Sequence, residues 1–142
     1  METTKGTILI VDDDPAVRSV VNRKMTGEGY ECVAAADGRE ALEIAGNQNF
    51  DLVLLDIKMP GPSGMEVLPQ LIRLRPDTCV VMITAIVDTQ TAVEAMKLGA
   101  YDYVTKPFNL DDLNIRVAKA IERKRLIKER QEQKLQEANP LN

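Results

Sequence analysis

Five short apolar runs set the frame of this chain: Thr7–Val11 (TILIV), Tyr30–Ala35 (YECVAA), Leu52–Leu55 (LVLL), Cys79–Ile83 (CVVMI) and Tyr101–Thr105 (YDYVT). The run at 52–55 has no polar member, which is the pattern of a strand covered on both faces. Between the runs, apolar residues recur at helical spacing. Val17, Val20, Val21 and Met25 define one stripe, Ala41, Leu42, Ile44 and Ala45 a second, Val67, Leu68, Leu71 and Ile72 a third, and Val93, Met96 and Leu98 a fourth. Start signals precede each stripe: Asp14 with Pro15, Asp37 with Glu40, Ser63 with Glu66, and Asp88 with Thr89. Asn109, followed by Asp111 and Asp112, opens a fifth helix. Gly27, Gly29 and Gly99 close helices, and Pro69, inside the third stripe, is expected to kink that helix or shorten its first part. Strand and helix alternate throughout, and parallel neighbours need crossovers, so the pattern predicts a doubly wound α/β fold: a five-stranded parallel sheet with helices on both faces.

The polar residues that interrupt this pattern sit at strand ends. The first run stops at Asp12, Asp13 and Asp14, the third at Asp56, the fourth at Thr84 and Ala85, and the fifth at Lys106 and Pro107. In open α/β sheets the ligand crevice lies outside the carboxyl ends of the strands. If the first and third strands are neighbours, several carboxylates crowd that crevice, and their repulsion calls for a bound cation. Oxygen donors without His or Cys suit a hard ion, Mg²⁺ first. A hydroxyl and an ammonium beside them complete a set suited to phosphoryl chemistry, in which a carboxylate can act as covalent nucleophile. Taken singly the residues say less: Asp14 reads as a helix cap, Gly61 and Gly64 as requirements of the turn, Met59 and Met65 as loop packing, and a tyrosine such as Tyr103 in a short edge strand as packing.

Composition narrows the options. The chain has 142 residues, 44% of them hydrophobic, with a net charge of −4. Residues 123–142 alone carry six Lys or Arg and three Glu, so the body is the more acidic part. An acidic body argues against a general nucleic-acid surface. There is no histidine, which removes the usual general base and any phosphohistidine of the chain's own. Cys32 and Cys79 lack metal-ligand spacing and read as small buried hydrophobes of a reducing compartment. No apolar run approaches a signal peptide or a membrane span, so a cytoplasmic location is expected.

The segments VDDDP (11–15), LLDIKMPGPSG (54–64), ITA (83–85) and YDYVTKPF (101–108), in this order, resemble the receiver domain of bacterial two-component response regulators. The resemblance spans residues 5–122. It implies a flavodoxin-like sheet of order 2-1-3-4-5, with Asp56 as the phosphoacceptor for a sensor histidine kinase. It also implies Mg²⁺ held by Asp13, Asp56 and the Lys58 backbone carbonyl, with Asp12 acting through water. Thr84 and Tyr103 would form the conformational switch, Ala85 would leave access for the donor, Lys106 would pair with the phosphoryl group, and the Lys106–Pro107 peptide would be cis. Lys58 and Ile86 occupy positions that the family varies to set phosphoryl lifetime. Such a domain catalyses only its own phosphorylation and slow dephosphorylation, and controls an output domain or target protein.

Two other functions compete: an Asp-nucleophile phosphatase or phosphotransferase, and an interaction module that works without phosphorylation. The first would carry an acidic residue two positions after the nucleophile, where Lys58 stands; the second is at odds with an intact set of acceptor residues. Residues 123–142 read as a charged helical extension or linker to an effector, with no break until Pro140, which suggests a piece of a longer protein. Its apolar positions are few, and a marginal homodimer through this last helix is expected.

Overall fold

An apolar run with no polar face is stable only between two layers, and the computed structural model, which describes residues 4–138, puts each run there. The elements are β1 (Thr7–Val11), α1 (Pro15–Gly27), β2 (Glu31–Ala35), α2 (Gly38–Asn47), β3 (Leu52–Leu55), α3 (Gly64–Leu74), β4 (Cys79–Thr84), α4 (Thr89–Lys97), β5 (Asp102–Thr105) and α5 (Leu110–Ala138). All neighbouring strands are parallel, in the order β2-β1-β3-β4-β5. Alternation within the strands divides the core. Leu9, Val11, Val53, Leu55, Val80 and Met82 face α2, α3 and α4. Ile8, Ile10, Leu52, Leu54, Val81 and Ile83 face α1 and α5. Each fully buried Leu or Ile contributes roughly 1.5–3 kcal/mol, so β3 alone is a large share of the stabilisation.

The caps form as their residue types dictate. Asp14, Asp37, Ser63 and Asp88 each accept a backbone N–H of the first turn that they open, and the Asn109 side chain accepts from Asp111 and Asp112. Two helices show what the pattern alone leaves open. α3 runs unbroken through Pro69, because the missing donor removes one hydrogen bond while Val67, Leu68 and Leu71 anchor the helix in the core on both sides of it. On α4 the buried residue is Ala95, whereas Val93, Met96 and Leu98 are 47%, 45% and 36% exposed. The small side chain lets α4 lie close to the sheet edge and turns the larger residues outward. Val20 on α1 is likewise on the solvent side, at 49% exposure.

Cys32 and Cys79 share one row of the sheet with Ile8 and Leu52 between them, three strand spacings or roughly 14 Å apart, too far for a disulfide. Burial pushes both thiols up, that of Cys79 to about 11, so both stay protonated. α5 has 29 residues and is about 44 Å long. Leu113, Val117, Ala120 and Ile121 bury its first part against the sheet, and from 122 to 137 it is exposed apart from Lys124. Residues 139–142 of the expected extension, with Pro140, lie outside the described residues. No helix among the described residues is long and apolar enough to cross a membrane.

Candidate phosphoacceptor site

Register brings the strand-end residues together. Val11 pairs with Leu55, so Asp12 and Asp56 leave the sheet side by side; Leu55 pairs with Met82 and Thr84 with Thr105, which brings Thr84 and Lys106 to the same end. The Asp56 N–H is held by Val11 O at 3.0 Å, the Asp12 N–H by Ala35 O at 3.2 Å, and the Lys106 N–H by Thr84 O at 2.8 Å. These bonds extend the ladders one residue past the strands and fix the direction of each side chain. Carboxylate oxygens of Asp12, Asp13 and Asp56 lie within 4.8 Å of one another.

Burial and pairing then differentiate the three acids. Asp12 and Asp56 are 2% and 5% exposed, while Asp13 is open to solvent. Lys106 Nζ donates to Asp12 Oδ2 at 2.7 Å and to Asp56 Oδ2 at 3.0 Å, bridging the two buried acids. The remaining oxygens are taken by the backbone: Asp12 Oδ1 accepts the Asp14 N–H at 2.9 Å, and Asp56 Oδ1 the Ile57 N–H at 2.7 Å. Burial works to lower the Lys106 pKa, but its bonds to both carboxylates outweigh that and raise it, so the ammonium is secure at neutral pH. One ammonium against three carboxylates leaves the crevice with a net excess of two negative charges. That is the electrostatic deficit a hard cation corrects, and an all-oxygen donor set with no His or Cys fits one.

On the other side of the crevice, Thr84 is buried and its Oγ1 accepts the Ile86 N–H at 3.3 Å. The Tyr103 hydroxyl donates to Ile86 O at 2.8 Å, and its half-buried ring packs against the core cluster. Burial, with the nearby charges of Asp88 and Asp56, raises the Tyr103 pKa, so the hydroxyl stays a donor. Thr84 and Tyr103 thus hold the same residue, Ile86, one at its N–H and the other at its C=O. Ala85 and Lys58 are exposed, the first beside Thr84 and the second in the loop after Asp56. The Lys106–Pro107 peptide is cis.

Three features near the site were not anticipated. Gly64 has no room for a side chain: an added Cβ would collide with Asp56 O and would lie 2.8 Å from Ile57 Cα. The turn therefore presses the start of α3 directly onto the backbone of Asp56, while Gly61 supplies a left-handed residue, at φ +78°. Arg18, one turn into α1, donates to Asp12 O at 2.6 Å and braces the acidic loop from behind. The Ile57 N–H tether on Asp56 is also invisible in sequence. Glycine clustering was the available signal for the first; nothing marked the other two.

The family model of the response regulator receiver domain matches residues 8–118. The chain is 39% identical over 127 residues to the regulatory protein AtoC of Escherichia coli K12, an overlap of 89% of this chain and 28% of that protein. To the DNA-binding transcriptional regulator NtrC of the same strain it is 38% identical over 117 residues, or 82% of this chain and 25% of NtrC. It therefore spans under a third of these two curated relatives. Its fold is similar to that of a CheY-like receiver domain protein from Methanospirillum hungatei JF-1, with a TM-score of 0.83 and 34% identity over 87% of this chain and 98% of that one. NtrX of Brucella abortus gives a TM-score of 0.86 and 34% identity over 91% of this chain and 30% of that chain. With the order β2-β1-β3-β4-β5 and acids gathered at the ends of β1 and β3, the match across residues 8–118 makes this chain a member of the response regulator receiver domain family.

Proposed function

We propose that the chain accepts a phosphoryl group on Asp56 from the phosphohistidine of a sensor histidine kinase, in a Mg²⁺-dependent reaction, and changes conformation to control an effector domain or target protein. The observation that carries this reading is the buried Asp56 carboxylate, bridged by Lys106 to Asp12 in a crevice with unbalanced negative charge. Asp12, Asp13, Asp56 and the Lys58 carbonyl would hold the ion, which when bound neutralises charge on the transferring group.

The chain's own groups supply the rest. The Ile57 N–H fixes one Asp56 oxygen and so orients the carboxylate. An Asp56 oxygen forms a bond to phosphorus as the phosphorus–nitrogen bond of the donor breaks, its electron pair staying on the imidazole. Lys106 Nζ, already on Asp56 Oδ2, is placed to move onto a phosphoryl oxygen. The Thr84 hydroxyl would turn to another, and releasing the Ile86 N–H would let the loop and the Tyr103 ring rearrange. Dephosphorylation reverses the charge change: water attacks phosphorus and Asp56 leaves as carboxylate. In this reading the chain acts only on itself and works in the cytoplasm.

Residues 5–122 form the receiver unit in this reading, and 123–142 the connection to an effector. α5 passes residue 122 without a break, which supports a stiff link. Its exposed apolar residues Leu126, Ile127 and Leu135 point in directions about 100° and 180° apart and make no common seam, so we assign the extension to linking rather than to self-association. Intact mass after incubation with acetyl phosphate tests the reading: one phosphoryl group is gained with Mg²⁺ and none after chelation. Gain that is indifferent to chelation would refute the metal role.

A further inference from the structure

Of the three acids in the crevice, Asp13 is the one held least. Asp12 and Asp56 are buried and bonded to Lys106 and to backbone N–H groups. Asp13 is exposed, and its carboxylate makes no ion pair among the described residues. Its direction is therefore set by the backbone on either side, and both flanking carbonyls are held by one residue. The Arg18 side chain donates through Nη1 to Asp12 O at 2.6 Å, and the Arg18 N–H donates to Asp14 O at 3.1 Å. The peptide unit is planar, so a fixed Asp12 carbonyl also fixes the N–Cα bond that leads into Asp13. The side-chain bond is short and charge-assisted. Arg18 is half-buried and has no carboxylate at ion-pair distance among the described residues. It stands next to an acidic loop, yet it bonds the main chain of that loop.

We propose that Arg18 is a positioning residue for the metal site: by fixing the Asp12–Asp13 peptide it keeps the exposed Asp13 carboxylate beside those of Asp12 and Asp56, and so raises the affinity for Mg²⁺. The inference rests on the metal reading proposed above. Two effects of Arg18 on a bound cation have opposite signs, which makes its role separable. Its positive charge opposes the cation, whereas a ligand already in place favours binding, because less side-chain and loop freedom is lost when the ion arrives. Removing a group that orients a metal ligand typically costs about 10–100-fold in metal affinity. A brace that served the fold alone would change unfolding, and the folded variant would bind Mg²⁺ as well as before or, with one cation fewer, more tightly.

Titration of the full ¹⁵N-labelled chain with Mg²⁺, followed at the amides of Asp13, Ile57 and Lys106, tests it. Arg18→Met and Arg18→Gln both remove the bond to Asp12 O, and the metal-free spectrum of each verifies its fold. Arg23→Met, which removes an exposed charge of the same helix, is the control. Affinity for Mg²⁺ should fall about tenfold or more in both Arg18 variants and stay near wild type in Arg23→Met. In phosphoryl gain from acetyl phosphate, the Mg²⁺ concentration for half-maximal rate should rise by the same factor, with the rate at saturating Mg²⁺ nearly restored. Unchanged or tighter Mg²⁺ binding in the Arg18 variants would overturn the proposal and leave the metal site standing, as would an equal loss in Arg23→Met. Absence of saturable shifts in the wild type would instead remove the metal reading, and this inference with it.

Discussion

Each end of this sheet carries a lysine–aspartate pair, and the two differ in one decisive respect. At the carboxyl end, Lys106 bridges Asp12 and Asp56, whose side chains are only 4% and 7% exposed, with Asp13 beside them. At the amino end, Lys124 meets Asp51 at 3.1 Å, one charge against one, and the Asp51 side chain is 38% exposed. The second Asp51 oxygen takes the Thr7 N–H at 2.8 Å and the Thr7 hydroxyl at 3.3 Å, so the group is satisfied without a further ligand. Ion pairing by itself therefore does not mark a functional end. Charge imbalance under burial does: the carboxyl end holds more negative charge than its lysine neutralises, and only a cation or a chemical change relieves it.

Substitutions sharpen the contrast. Lys106→Met removes the ammonium that bridges Asp12 and Asp56 and should slow phosphoryl gain from acetyl phosphate by about 10²-fold, followed by mass against time. An unchanged rate would separate Lys106 from the transferring group. Gly64→Ala forces a methyl group into the Asp56 backbone and should cost about 1–3 kcal/mol in urea unfolding, with slower phosphorylation as the acceptor shifts. Lys124→Met at the other end should cost less than about 1 kcal/mol and leave the phosphorylation rate alone, as partly exposed pairs do. The smallest effect is in pH dependence. Burial works to raise the Asp51 pKa, but the Thr7 bonds and Lys124 outweigh it, and the folded value lies below that of a free aspartate. Its contribution is therefore present above the ordinary aspartate pKa and lost as pH falls through the lower folded value. Asp51→Asn should flatten that part of the acid limb of thermal unfolding curves and leave the neutral region nearly unchanged. A variant with the wild-type acid limb would remove Asp51 from the account.

How much of this was legible in the sequence follows from what kind of interaction each feature uses. The sheet and its order rest on apolar runs and on a resemblance carried by contiguous motifs, so the fold was readable. Asp12, Asp56 and Lys106 were readable as strand-end residues, but their mutual bonding depends on register, which periodicity does not fix. The outward face of α4 was not legible, because periodicity counts large apolar residues, while the packing there is decided by Ala95. The Asp51–Lys124 pair joins half-buried groups 73 residues apart, and neither interrupts an apolar pattern. Gly64 was visible as a turn glycine; its contact with the Asp56 backbone belongs to the tertiary structure.

The central claim is that one aspartate, set apart by buried and unbalanced charge, accepts the phosphoryl group. Intact mass after acetyl phosphate and Mg²⁺, on wild type, Asp56→Asn and Asp51→Asn in parallel, tests it most directly. The account predicts one added phosphoryl group in the wild type and in Asp51→Asn, and none in Asp56→Asn. Undiminished phosphorylation of Asp56→Asn would contradict it.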